Sequence, residues 1–245
     1  MNNVMEVNNI SKTFLTDIGN LDVLKNISFN IKPGEIVSIV GPSGSGKSTL
    51  LNIISNLLKP DGGNIKINGE IGYMFQKDHL FDWRTVYKNV ILGLEIKKKL
   101  TKENIDNVKN LLSKYGLIDF INHYPNELSG GMRQRIALIR TLAVKPSILL
   151  LDEAFSALDY QTRLNVVSDI YKMIKEEHIA ALLVTHDITE AVSMSDKVIV
   201  LSNRPAMIKN IYEINFNIKD KTPINVRRLP EFSKYFDLIW NDLNE

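Results

Sequence analysis

The sequence predicts an α/β fold, in which parallel strands alternate with helices and polar loops gather at one edge of a sheet. Three short apolar segments carry this prediction, at residues 35–40, 148–151 and 181–184. Each is followed directly by glycine or polar residues, as is typical of buried strands in parallel sheets. Open α/β sheets bind ligands beyond the carboxyl ends of their strands. The three loops that follow these segments are therefore the first candidates for a functional site.

The loop after the first of these strands has the spacing of a phosphate-binding loop, or P-loop. Its glycines let successive backbone N–H groups point inward, and the helix that follows adds the positive end of its dipole. Lys47 would reach the β- and γ-phosphates and the Ser48 hydroxyl would hold Mg²⁺. A glycine-rich turn without a ligand is the alternative, but the strand, loop and helix setting favours nucleotide binding. The loop comprises Gly41, Pro42, Ser43, Gly44, Ser45, Gly46, Lys47, Ser48 and Thr49.

The composition is that of a globular protein with balanced charge. The chain has 245 residues, of which 44% are hydrophobic and 24% charged, and a net charge of +2, so nothing indicates nucleic-acid binding. It contains no cysteine, which excludes disulfides and cysteine-ligated metal sites. No apolar run approaches the roughly 18 to 20 residues that span a bilayer. We therefore expect a cytoplasmic protein, unless a partner holds it at the membrane.

Two β segments precede the P-loop, over residues 4–14 and 23–31. Phe14 ends the first of them. An aromatic residue at this place can stack on an adenine ring, whereas packing in the core or at a sheet edge is the commoner role. The residues alone leave both roles open.

The helix after the P-loop is expected to end near Leu58, because residues 59–63 supply a lysine, a proline and two glycines. Two more strands are predicted around Ile65 and over residues 71–75. Gln76 follows the second directly. Its amide either reaches into the nucleotide site as a ligand of Mg²⁺ or water, or is an ordinary polar residue at the start of a loop.

From residue 83 to residue 144 the apolar spacing becomes helical, which predicts a helical insertion between strands. Near its end, Ser129, Gly130 and Gly131 precede a helix that runs to about Val144. Free backbone N–H groups, a hydroxyl and a helix dipole aimed the same way make a second anion site. An ordinary capped helix is the other interpretation.

The strand at residues 148–151 ends in Asp152 and Glu153, so two carboxylates emerge at the ligand-binding edge. Asp152 suits a Mg²⁺ shell, and Glu153 suits a base for water. The next strand ends near His186. A lone histidine is more often structural, but its place on the same rim gives a functional role equal weight. A long helix separates these strands, and a closing helix is predicted over residues 230–243.

Together these motifs resemble the ATP-binding subunit of an ABC transporter, over essentially the whole chain. The most specific is the segment at residues 128–135, Leu-Ser-Gly-Gly-Met-Arg-Gln-Arg, which resembles the ABC signature and lies at a fitting distance before residues 148–153. Ala154 stands where many relatives have proline, and Phe14 where they usually have tyrosine, but neither change removes a group that the reaction needs. The resemblance assigns Phe14 to the adenine-stacking position, Gln76 to the Q-loop, Asp159 to the D-loop and His186 to the switch histidine.

The resemblance implies one ABC ATP-binding domain over residues 1–245. Residues 1–83 and 147–215 would form a RecA-like P-loop NTPase core with an antiparallel β subdomain. Residues 84–146 would form the α-helical signature subdomain, and residues 216–245 a C-terminal extension too small for a regulatory domain.

The implied activity is ATP hydrolysis by in-line attack of water on the γ-phosphate. Lys47 and Mg²⁺, the latter held by Ser48, Gln76 and Asp152, would neutralise developing charge. Glu153 would orient or deprotonate the water, and His186 would contact the γ-phosphate. Two such subunits close head to tail in the family, so that each ATP lies between the P-loop of one and the signature of the other. That arrangement gives binding roles to Ser129, Gly130, Gly131 and Asp159 of the second subunit, which we expect to be an identical chain.

Within the family, residues 83–95 and 202–206 are most similar to the nitrate, sulfonate and taurine import group, which also serves vitamin-precursor uptake, although Asp82 stands where that group often has proline. This resemblance implies membrane permease subunits, an indirect solute-binding protein and a peripheral location on the inner face of the cell membrane. The surface between residues 76 and 95 is the expected permease contact, with Asp78, Asp82 and Arg84 as its charges. The alternative is a soluble ABC ATPase that energises an assembly scaffold, such as iron–sulfur cluster biogenesis. The solute itself is not encoded in this chain.

Overall fold

A computed structural model describes residues 3–17 and 19–244, which form nine strands and nine α-helices. The strands are β1 (Met5–Thr16), β2 (Gly19–Ile31), β3 (Ile36–Val40), β4 (Gly62–Ile67), β5 (Ile71–Met74), β6 (Ile148–Asp152), β7 (Ala180–Val184), β8 (Lys197–Leu201) and β9 (Ile208–Glu213). The helices are α1 (Lys47–Ile54), α2 (Val86–Val90), α3 (Leu92–Ile96), α4 (Lys102–Lys114), α5 (Gly130–Leu142), α6 (Tyr160–Glu176), α7 (Ile188–Met194), α8 (Pro223–Val226) and α9 (Pro230–Asn244).

The larger sheet has the strand order β5-β6-β7-β3-β8-β9, with β3 in its interior. All neighbouring strands are parallel except β8 and β9, which are antiparallel. Every residue of β3, β7 and β8 is buried, which explains why these strands are apolar apart from Ser38 in β3 and Lys197 at the start of β8. The carboxyl ends of β3, β6 and β7 therefore lie at one edge of the sheet, as the sequence predicts.

The two faces of this sheet are covered by different parts of the chain. Leu149 and Leu151 of β6 pack into a cluster with buried residues of α2 to α6, whereas Ile148 and Leu150 pack on the opposite side with α1 and the smaller sheet. Alternating residues of one strand thus belong to two cores. The expected helical insertion is confirmed as a set of helices between β5 and β6 that packs against one face.

The smaller sheet is antiparallel, with the order β2-β1-β4. It places Phe14 opposite Leu21, near the end of the β1–β2 hairpin. Its buried face, which includes Val7, Ile10 and Ile27, packs against α1. This packing sets the hairpin beside the P-loop.

Helix α1 is shorter than predicted. It ends at Ile54 rather than near Leu58, because Asn56 adopts a left-handed conformation with φ 61°. The backbone N–H groups of Leu57 and Leu58 both donate to the carbonyl of Asn52, which closes the helix end. The proline and glycines at residues 59–63 therefore follow a helix that asparagine has already ended.

The closing helix α9 is confirmed, and α7 and α8 are additional helices that the sequence patterns did not indicate. Ile188 and Val192 of α7 pack against Val226 of α8 and against Phe232 and Ile239 of α9. The end of the described chain thus rests on the segment that follows β7. None of the helices in residues 3–17 and 19–244 combines the length and apolarity that crossing a bilayer requires.

We predict that Gly63→Ala destabilises the fold far more than Gly116→Ala. Both glycines have positive φ, of 83° and 68°, but a Cβ at Gly63 would lie 2.3 Å from the carbonyl oxygen of Asn8, whereas nothing lies within 4 Å at Gly116. The free energy of unfolding should fall by at least about 3 kcal/mol for Gly63→Ala and by about 1 kcal/mol for the control Gly116→Ala. Urea unfolding measures both, and equal losses would contradict the close approach of β4 to β1.

Candidate nucleotide site

The P-loop connects β3 to α1 through glycines that no other residue can replace without strain. Gly46 caps α1 with φ 107°, and a Cβ there would lie 2.8 Å from Cγ1 of Val23. Gly44 also has positive φ, at 75°. The loop can therefore turn tightly in front of the helix N-terminus, where unpaired N–H groups bind anions.

Lys47, the first residue of α1, folds back over this loop. Its Nζ donates to the carbonyl oxygens of Gly41 at 2.8 Å and Pro42 at 2.9 Å. Burial lowers the pKa of Lys47, while the carboxylates of Glu153 and Asp152 act in the opposite direction. The ammonium group is thus held at the loop, next to the carboxylates of the β6 edge.

An open cleft of about 770 Å³ lies in front of the P-loop. It brings together the P-loop, one wall of the β1–β2 hairpin, the ends of β6 and β7 and the loop after β8. Phe14 lies on the hairpin wall beside its cross-strand neighbour Leu21. The lining residues are Phe14, Leu21, Val23, Ser43, Gly44, Gly46, Lys47, Ser48, Thr49, Glu153, His186 and Arg204.

Glu153 and His186 both line this cleft and lie close to each other. The Glu153 carboxylate lies 3.5 Å from Nδ1 of His186. The Glu153 backbone is left-handed, with φ 46°, and its N–H donates to the carbonyl of Val184 at 2.9 Å. The ends of two neighbouring strands therefore hold the acid and the imidazole together.

Asp152 lies just before this pair and is partly buried. Its Oδ2 accepts a hydrogen bond from the hydroxyl of Tyr73, at 3.0 Å. Burial raises the pKa of Asp152, although the Tyr73 hydrogen bond opposes the rise. Tyr73 is a contact that the sequence analysis did not find, because it sits inside an ordinary strand pattern on β5.

Gln76 is linked to the loop that carries Glu153. Its Nε2 donates to Oγ of Ser156 at 2.9 Å, and Ser156 donates in turn to the carbonyl of Glu153 at 3.0 Å. The carbonyl of Gln76 accepts from Nε2 of Gln134 on α5, at 3.4 Å. Gln76 therefore connects the β6 edge with the helix that begins at the signature.

The signature residues lie outside the P-loop cleft. Ser129 caps α5 by accepting a hydrogen bond from the N–H of Met132 at 3.3 Å. Gly130 lines a separate hollow with Asp78 and Arg133. Within one chain, therefore, the two predicted anion sites are separate surfaces.

Asp159 also lies outside the cleft, as the N-cap of α6. Its Oδ1 accepts a hydrogen bond from the N–H of Thr162 at 3.0 Å, and this bonding lowers the pKa of Asp159. In the single chain its side chain has a helix-capping role.

Two of the three charged residues on the expected permease surface form close ion pairs within the chain. Asp78 accepts two hydrogen bonds from Arg133 on α5, at 2.8 and 3.1 Å, and Arg84 pairs with Glu95 at 2.6 Å. Charge reversal at Asp78 or Arg84 would therefore break contacts within the chain. Asp82 is the most exposed of the three, with 69% of its side chain accessible, and its Oδ1 lies 3.8 Å from Nη1 of Arg133.

The segment after β7 forms a small buried network beside His186. Thr185 donates from Oγ1 to Oε2 of Glu190 at 2.8 Å, and the N–H groups of Thr189 and Glu190 donate to Asp187. Glu190 is only 3% exposed. Burial, together with the charge of Asp187, raises the pKa of Glu190 to about 7. The histidine is thus followed directly by the N-terminus of α7, which these hydrogen bonds hold in place.

A strand, glycine loop and helix in front of a cleft with a lysine, and a carboxylate at the end of a neighbouring strand, define a P-loop nucleotide-binding protein. The model of the ABC transporter family matches residues 24–156. The chain belongs to this family, as one of its ATP-binding cassettes with ATPase activity.

Curated relatives span almost the whole chain. The uncharacterized ABC transporter ATP-binding protein YtlC of Bacillus subtilis is 43% identical, over 98% of this chain and 95% of its own. The nitrate import ATP-binding protein NrtD of Synechocystis is 40% identical, over 96% and 93%. The taurine import ATP-binding protein TauB of Jannaschia is 38% identical, over 97% and 94%.

The fold is also similar to solved ABC cassettes. The dimeric ATP-binding cassette MJ0796 in a post-hydrolysis state with ADP and Pi gives a TM-score of 0.71 at 33% identity, over 86% of this chain and 99% of that one. A second dimeric structure of that cassette gives a TM-score of 0.72 at 34% identity, with the same coverage. The predicted architecture of a P-loop core, an antiparallel sheet and a helical insertion is confirmed.

We predict that Glu190→Gln stabilises the protein at alkaline pH. Because the folded-state pKa is raised from 4.5 to about 7, the folded state binds the proton more tightly than the unfolded state, and stability falls as pH rises through this window. Above pH 7 the variant should have a free energy of unfolding higher by up to about 3 kcal/mol, and below about pH 4.5 the gain should vanish.

Thermal unfolding at several pH values measures this difference. The exposed Glu231, in the first turn of α9, provides the control Glu231→Gln, for which no alkaline gain is expected. A pH-independent effect of Glu190→Gln would show that the carboxyl is not held in its protonated form by burial.

Proposed function

We propose that this chain is the ATP-hydrolysing subunit of an importer, which powers uptake of a small solute through a separate membrane permease. The observation that supports it most is the cleft in which the P-loop, Lys47 and the Glu153–His186 pair face one open space. The relatives named for nitrate and taurine import suggest the solute class, a small anion or zwitterion of that kind or a vitamin precursor.

In this proposal the nucleotide lies along the cleft from the hairpin wall to the β6 edge. Phe14 stacks on the adenine, and the loop residues from Gly41 to Thr49 enclose the phosphates with their N–H groups. Lys47, already held beside the loop, exchanges its carbonyl contacts for the β- and γ-phosphates. A buried ammonium with a lowered pKa gains most from such an anionic partner.

The residues near the phosphates fit a Mg²⁺ ion. Ser48, Gln76 and Asp152 offer hydroxyl, amide and carboxylate oxygens, the donor set that Mg²⁺ prefers. The partly buried Asp152, whose pKa is raised by burial, would be stabilised as an anion by a cation beside it. When bound, the ion would neutralise charge on the phosphates.

In this proposal, Glu153 and His186 carry out hydrolysis. Glu153 orients the attacking water and accepts its proton, while His186, 3.5 Å away, contacts the γ-phosphate. Gln76 donates a hydrogen bond to Ser156, which donates to the carbonyl of Glu153. These two bonds hold the loop in place and so keep the Glu153 carboxylate in the cleft.

A second copy of the chain would complete the site. Ser129, Gly130, Gly131 and Asp159 lie outside the cleft of their own chain, so they contact nucleotide only across a head-to-tail dimer. The dimeric cassettes of similar fold support this arrangement. In it, residues 1–83 and 147–215 act as the core, residues 84–146 as the signature subdomain and residues 216–245 as an extension.

We predict that Glu153→Gln abolishes turnover but keeps Mg-ATP binding. Loss of the base should lower the ATPase rate by about 100-fold or more, and the unhydrolysed ATP should trap the closed dimer. Phosphate release and size-exclusion chromatography measure the two effects. Lys47→Ala should lose both Mg-ATP binding and the dimer. Ser129→Arg should lose the dimer, but its monomer should still bind Mg-ATP. Wild-type turnover by Glu153→Gln would remove Glu153 from the mechanism.

For the permease, we predict that Trp83→Ala weakens association with a membrane protein and Trp240→Ala does not. Both indoles are exposed, by 76% and 53%, but only Trp83 lies on the proposed permease surface, stacked on Phe81 at 4.7 Å. Detergent extracts captured with the ATP-loaded Glu153→Gln protein should contain a multi-span permease, lost selectively with Trp83→Ala. Recovery of soluble assembly factors alone would instead favour the scaffold ATPase.

A further inference from the structure

We propose that Arg204 is a second cationic contact for the phosphate chain of the bound nucleotide, reaching the cleft from the loop between β8 and β9. The proposal rests on nucleotide binding in the P-loop cleft and adds a residue that lies far from the P-loop in sequence.

The guanidinium of Arg204 lies directly against the P-loop. A Cβ built on Gly44 would be 3.5 Å from Nη2 of Arg204 and 4.0 Å from its Cζ. Both residues line the cleft. These distances are those of ordinary van der Waals contact, so the guanidinium lies immediately beside the P-loop backbone.

The loop that carries Arg204 is tied to the strand that supports the P-loop. The N–H of Ala206 donates to the carbonyl of Val23, and the N–H of Lys25 donates to the carbonyl of Ala206, both at 2.9 Å. Ala206 is fully buried. Val23 also packs against Gly46, the cap of α1. One segment of β2 thus positions both the P-loop and the arginine relative to each other.

The guanidinium of Arg204 has no charged partner in the part of the chain that the structure describes. No ion pair or hydrogen bond engages its side chain among residues 3–17 and 19–244. Among the described residues, the cleft lining contains two basic side chains, Lys47 and Arg204, against one carboxylate, that of Glu153, which already faces His186. An unpaired guanidinium beside such a loop matches a polyphosphate, because its fork of N–H donors binds two phosphate oxygens at once.

Calorimetric titration of the full chain with ADP tests the assignment. We expect Arg204→Gln to raise the Kd about 10-fold and to make the salt dependence of binding shallower. Arg204→Lys should raise the Kd by less and keep the salt dependence, because it retains the charge but loses the fork of N–H donors. The ATPase KM should rise while kcat changes little. Arg228→Gln is the matched control, an exposed arginine outside the cleft, and should bind as the wild type does.

Two results would overturn the proposal. Arg204→Gln could bind ADP as Arg228→Gln does, which would make Arg204 a surface residue only. Alternatively, Arg204→Lys could be as weak as Arg204→Gln with unchanged salt dependence, which would indicate stacking on the base instead of a phosphate contact. The Lys47→Ala variant distinguishes failure of this proposal from failure of the proposed function. Normal ADP binding by Lys47→Ala would show that the nucleotide does not bind in this cleft. Unchanged thermal unfolding of each variant confirms that the fold is retained.

Discussion

The parallel pairing of β3 with both β7 and β8 is the constraint on which the site depends. It places the P-loop between the loop that carries His186 and the loop that carries Arg204. Pairing of β7 with β6 then adds Glu153 on the far side. None of these groups is near another in sequence, and all are brought to one cleft by the register of four buried strands. A slip of one residue in any pair would turn the loop-facing side chains away.

The second constraint is the close packing of the small sheet on the P-loop. Val23 touches Gly46 and also anchors Ala206 through its backbone, so β2 serves as a common support for three walls of the cleft. This explains the need for glycine at position 46 in terms of space as well as backbone conformation. Phe14 lies on the same hairpin, so β2 also links the position of Phe14 to that of the P-loop.

The sequence was sufficient for the α/β fold, the P-loop and the edge position of Glu153 and His186, because these follow from local apolar runs and from the rule that parallel strands end together. It was insufficient for Tyr73, Ser156 and Arg204. Their roles come from contacts between segments distant in sequence, and their local patterns are those of an ordinary strand or loop. The end of α1 was missed for a local reason, since a left-handed asparagine ended the helix before the proline and glycines could.

The segment after β5, at residues 76–78, contacts both the loop that carries Glu153 and helix α5. Gln76 contacts the loop that carries Glu153, and two residues further on Asp78 accepts two hydrogen bonds from Arg133 of α5. A displacement of this segment would therefore alter its contacts with both the Glu153 loop and α5. Thermodynamic linkage makes such a connection reciprocal: whatever binds the segment and alters nucleotide affinity must have its own affinity altered by nucleotide to the same extent. A partner that tightens nucleotide binding through this segment would therefore itself bind more tightly when nucleotide is present.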